Sequence, residues 1–68
     1  MMRVNWQSRR FFSAEIEPGL GQWSGQWLWT LYLHDERITS GYAIDRNMAI
    51  AQAGLVADQT ARPRLVSV

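Results

Sequence analysis

Residues 27–45 read WLWTLYLHDERITSGYAID, and their reading decides the fold. In residues 27–34, Trp27, Trp29, Leu31 and Leu33 fall on one side of an extended chain. Leu28, Thr30, Tyr32 and His34 fall on the other. Aromatic and β-branched side chains favour the pleated, half-buried surface of a strand. The polar HDER at 34–37 then reverses the chain into RITSGYAI at 37–44, where Ile38, Tyr42 and Ile44 are strand formers. Together these segments predict a β-hairpin. Gly41 marks either a bulge or a close backbone approach.

Upstream, RRFFSAEIE at 9–17 alternates again, with Phe12, Ala14 and Ile16 opposed to Phe11, Ser13, Glu15 and Glu17. The intervening EPGLGQWSGQ at 17–26 is a loop by its glycine and proline content. A three-stranded antiparallel meander follows. From Asp45 the period-two pattern stops, and DRNMAIAQAGLVADQTAR at 45–62 is rich in helix formers. Asp45 is a good N-cap, and Pro63 ends the helix at about Thr60 to Arg62. Ala49, Ala53 and Ala57 recur every fourth residue and form a stripe of small side chains, flanked by Met48, Ile50 and Val56. Gly54 is expected to ease packing without breaking the helix, and Gln52 lies outside the contact stripe. The predicted fold class is α+β: a βββα chain with its helix on one sheet face.

The 68 residues make one domain, 1–68, without cysteine and so without disulfides or thiolate metal sites. Its ends, 1–8 and 63–68, are expected to be flexible or to pair at an edge. Met2, Val4 and Trp6 alternate weakly and either extend the first strand or form a short one of their own, while Trp6 has no assigned place. The tail RLVSV at 64–68 is either frayed or adds a strand to a neighbour. The sequence contains neither a run of roughly 20 apolar residues nor a signal-peptide pattern at its start. A soluble, cytoplasmic protein is expected.

A helix with an alanine stripe needs bulky partners opposite, which Trp27 and Trp29 supply as core residues. Trp23, in the glycine-rich loop, has three possible roles: folding back over the sheet edge, entering a partner interface, or stacking on a base or sugar. One helix covers one sheet face, so Phe11, Leu28 and Tyr32 are expected to share the open one. An apolar patch there would mark an interface, with a second copy as the expected partner. The candidate interface is therefore Phe11, Trp23, Leu28 and Tyr32.

Catalysis requires convergent groups. The single histidine, His34, lies beside Asp35 and Glu36, but adjacent residues on a tight turn diverge and a metal needs three or four converging ligands. This cluster is read as a solvated turn. Glu15 and Glu17 share the polar face of the first strand and could pair with Arg37 across the sheet, a contact worth only about a few tenths of a kcal/mol. GLGQWSG at 19–25 leads into a strand and so lacks the helix N-terminus of a phosphate loop. No catalytic residue, cofactor or metal is expected. All seven basic residues are arginine, which favours phosphate contact in principle; with a net charge of only +1, a genome rich in arginine codons is the preferred reading over nucleic-acid contact. Arg9, Arg10, Arg62 and Arg64, at element ends, are the candidates for such contact.

The segment from Trp27 to Gln59 resembles small bacterial βββα domains: an aromatic strand, a polar turn, Ser40-Gly41-Tyr42-Ala43, and then a helix carrying Ala49 and Ala53. It is similar to the truncated double-stranded-RNA-binding-like fold of HicB-type antitoxins and YegP-like proteins. The resemblance implies the same fold and, from the antitoxins, a partner-binding or nucleic-acid-associated regulatory role. The long glycine-rich first loop, and the lack of an added DNA-binding segment, depart from it.

Overall fold

The computed structural model describes residues 2–6 and 11–61. Four strands, β1 (Met2–Asn5), β2 (Phe12–Pro18), β3 (Trp27–Leu33) and β4 (Glu36–Ala43), form one antiparallel sheet in the order β1-β2-β3-β4. A single helix, α1 (Arg46–Ala61), follows. The sheet thus has one strand more than the sequence pattern predicts. β1 has only four residues, too few for alternation to be distinctive, and its register supplies what the pattern lacks. Met2 lies opposite Ile16 and Val4 opposite Ala14, so both apolar residues join the helix-covered face. Met2–Asn5 thus form a short strand of their own, paired with β2 within the chain. Residues 62–68, including the RLVSV tail, lie outside the described residues.

The core forms between that face and the alanine stripe. Phe12, Ala14, Ile16, Trp29, Leu31 and Ala43 are buried against Ala49, Ala53 and Ala57, with Trp27 and Trp6 among the partly buried residues around them. Trp29 lies on the expected side. Its ring spreads over Gly41, directly opposite on β4, where a Cβ would stand 2.7 Å from the Trp29 Cζ2. Gly41 is therefore a close-approach glycine. The bulge lies elsewhere: Leu31 pairs with Thr39 but Tyr32 with Arg37, leaving Ile38 as the extra residue. The hairpin closes through His34 and Asp35, both with positive φ (53° and 65°), as a two-residue type I′ turn requires.

Asp45 caps the helix as expected, its Oδ1 accepting the Met48 backbone N–H at 2.8 Å. Gln52, by contrast, does not lie idle beside the contact. Its Oε1 accepts the Trp29 Nε1–H at 3.1 Å. Gln52→Leu should therefore destabilise the protein by about 1–3 kcal/mol, because it strands a largely buried indole donor. Chemical denaturation, with Gln52→Glu as an acceptor-preserving comparison, checks this.

Gly54 is buried beneath Trp6, which gives that ring its place. A Cβ on Gly54 would sit 3.7–3.9 Å from the nearest indole atoms, an ordinary contact distance. Gly54→Ala should accordingly raise stability by about 0.5–1 kcal/mol through helix propensity and a less flexible unfolded chain. A higher thermal midpoint is the expected readout.

Candidate interaction surface

The uncovered sheet face divides into a polar end and an apolar end. At the polar end β1 sets Arg3 directly opposite Glu15. Arg3 Nη2 donates to Glu15 Oε2 at 2.8 Å, and the Tyr32 hydroxyl donates to Glu15 Oε1 at 3.1 Å. The same guanidinium donates to Ser13 Oγ at 3.3 Å and lies 5.5 Å from the centre of the Tyr32 ring. This corrects the expected pairing of Glu15 and Glu17 with Arg37. Arg37 instead donates to Ser40 Oγ at 3.4 Å. Tyr32 belongs to this polar network as well as to the open face.

Hydrogen bonds from Arg3 and then Tyr32 hold the Glu15 carboxyl below the usual carboxylate range. The bond to Glu15 in turn pushes the Tyr32 hydroxyl above the usual phenol range. Between Glu15's lowered folded value and its ordinary one, the unfolded chain binds more protons, so stability rises with pH. Glu15's contribution is lost as pH falls through the lowered value. Between the ordinary and raised values of Tyr32 the folded chain binds more protons, so stability falls as pH rises through that window. Glu15→Gln should flatten the acid limb and Tyr32→Phe the alkaline limb of unfolding midpoints measured from about pH 3 to pH 11.

Phe11 stands apart from Leu28, at the hairpin end of the sheet. β2 begins only at Phe12, and Phe11 sits in the preceding turn, stacked on His34 with ring centroids 4.5 Å apart. Its carbonyl accepts the His34 backbone N–H at 2.9 Å. Together with Arg3, Asn5, Ser13 and Asp35 these rings border a depression of about 230 Å³. Among the described residues no three His, Asp or Glu side chains gather closely enough to hold a metal ion.

At the apolar end the β2–β3 loop is wound tightly. Gly19 N–H donates to the Gln26 carbonyl at 2.8 Å, Trp23 N–H to Leu20, and Gln26 N–H to Trp23. A Cβ on Gly19 would collide with the Trp23 carbonyl oxygen, which accounts for glycine there. The loop carries Trp23 back over the sheet, where its ring stacks on Tyr42 of the edge strand β4, centroids 4.5 Å apart and planes 11° from parallel. Of the three roles open to Trp23, the structure realises this one within the chain. Trp23 nevertheless stays 40% exposed and Tyr42 37%. Leu28, half-buried, lies directly opposite Tyr42. Trp27 pairs with both Pro18 and Ala43, so the loop and the end of β4 share one end of the sheet. Leu20 and Ile44, both largely exposed, flank that end.

Of the expected interface residues, Trp23 and Leu28 thus belong to the apolar end, while Tyr32 stands in the polar network and Phe11 at the hairpin turn. Tyr42, which completes the exposed ring pair, was visible in the sequence only as a strand former. Arg9, Arg10, Arg62 and Arg64 lie outside the described residues.

Among the described residues no helix is long and apolar enough to cross a membrane. The described residues make a small α+β protein, a four-stranded antiparallel meander followed by one helix packed on one face. Comparison with family models, curated proteins and solved structures finds no match to it.

Proposed function

We propose that this chain is a non-catalytic protein–protein interaction module that acts as a homodimer. The observation that supports this reading is the stacked Trp23–Tyr42 pair, left more than a third exposed on an edge strand and flanked by exposed Leu20 and Ile44. Large apolar groups gathered on the surface of a small protein are characteristic of an interface. A chain of this size also gains stability from association. The likeness of its strand–turn–helix segment to HicB-type antitoxins, which pair with a toxin, is in keeping with such a role. The candidate arginines of the nucleic-acid alternative, Arg9, Arg10, Arg62 and Arg64, lie outside the described residues.

Sedimentation at micromolar concentration tests the reading. The wild type should be dimeric, and Leu28→Glu or Tyr42→Glu should each weaken association by about tenfold or more. Ala51→Glu, on the exposed side of α1, should not. Ser13 is unsuitable as a control because it is buried beneath this face. A wild type that stays monomeric throughout would rule out the homodimer.

A further inference from the structure

The four strands are not held alike. β2 buries Phe12, Ser13, Ala14 and Ile16, and β3 buries Trp29, Thr30 and Leu31. β1 buries no side chain completely: Met2 and Val4 are half-buried at the margin of the core, and Arg3 and Asn5 are exposed. The helix packs chiefly on β2, β3 and β4. β1 pairs along one side with β2, and its other side is the edge of the sheet. A side chain on each face clasps this stretch to the rest of the fold. On the open face Arg3 donates to Glu15 and Ser13 of β2 and lies beside the Tyr32 ring of β3. On the helix face Trp6, the residue that follows β1, lies over Gly54 in the middle of α1.

We infer that residues 2–6 form a strap, which opens from the sheet and closes on it as one unit while β2, β3, β4 and α1 stay folded. Segments open separately where they contribute few fully buried apolar groups to the core, and β1 contributes none. The buried core joins β2, β3 and Ala43 of β4 to the alanine stripe of the helix, so it closes without the strap. Arg3 and Trp6 grip opposite faces of the sheet, and what they share is the strand between them. Releasing either loosens the whole strap. Its closed position covers the β2 backbone from Ser13 to Ile16. With the strap open, β2 becomes the edge strand, and its seven residues are a better template for pairing with another chain than four residues carrying an exposed arginine. The strap therefore guards that side of the sheet.

Amide hydrogen exchange of the full chain, followed residue by residue by NMR at low denaturant, tests this. Amides bonded between β1 and β2 should share one protection factor, about tenfold or more below that of amides bonded between β3 and β4. Their protection should also fall with denaturant on a shallower slope, because opening the strap exposes less surface than unfolding the chain. Arg3→Met, which keeps the aliphatic stem, and Trp6→Phe, which keeps an apolar ring, should each lower the protection of every β1–β2 amide by about threefold or more. Asp45→Ala is the decisive comparison. It removes the helix cap, far from β1, and so weakens the strapped and unstrapped forms alike. The β3–β4 amides should lose about fivefold in protection while the β1–β2 amides are unchanged. If both sets of amides share one protection factor and fall together in Asp45→Ala, β1 belongs to the global folding unit and the strap is overturned. A graded loss of protection from Asn5 to Met2, with Arg3→Met and Trp6→Phe each felt only by the nearest amides, is simple fraying and overturns it equally.

Discussion

Trp29→Ala is expected to destabilise the protein by about 3–5 kcal/mol, the usual cost of deleting a large aromatic side chain from a core. The Trp29 ring is the largest buried side chain between sheet and helix, only 6% exposed, and its neighbours cannot close over the space it leaves. The facing helix offers Ala49, Ala53 and Ala57, which have no side-chain length with which to collapse inward. Substitution also leaves the Gln52 side chain without the indole donor it accepts from. A loss of this size approaches the total stability of so short a domain. Urea denaturation should show a folded fraction that is small or absent without stabilising cosolvent. A soluble variant with an unchanged melting curve would contradict the position of Trp29.

Gly41→Ala should be the second most damaging change, at about 1–3 kcal/mol, and for the opposite reason. The new Cβ would stand 2.7, 2.9 and 3.0 Å from Cζ2, Cε2 and Nε1 of Trp29. The indole cannot readily yield, because its Nε1–H is held by Gln52 on the helix side. The backbone at Gly41 has no positive φ that would demand glycine, so the cost is one of space alone. Two changes acting through the same few ångströms must be non-additive. In a Trp29→Ala background, Gly41→Ala should cost nothing measurable and can repay a little by filling the void. A double-mutant cycle followed by chemical denaturation reads this directly. Additive losses would mean that the ring does not lie over Gly41.

Both expectations concern the contact that the sequence makes most legible. Four apolar residues alternating from Trp27 to Leu33 admit only one face for the core, because a strand's side chains repeat every second residue. The alanine stripe matches that face in size, and Asp45 marks the helix start through the local hydrogen bond of its own side chain. Such features are set by neighbours within a few residues, so the sequence alone determines the hairpin, the helix, its contact stripe and the inward side of β3.

The open face is another matter. Read without a bulge, the His34–Asp35 turn would pair Trp29 with Ser40 and Leu28 with Gly41, and would turn Tyr42 towards the helix. The extra residue Ile38 moves every later partner by one position, which brings Gly41 under Trp29 and Tyr42 across from Leu28. Packing selects that shift, since only glycine leaves room for the indole there, and no local propensity announces it. Likewise β1 has too few residues to show a period, and it becomes a strand through its pairing with β2. Arg3 thereby reaches Glu15 across twelve residues of sequence. The surface on which the chain's proposed partner would dock is thus a product of tertiary structure: the bulge and the fourth strand, both set by long-range packing, decide which side chains meet on it.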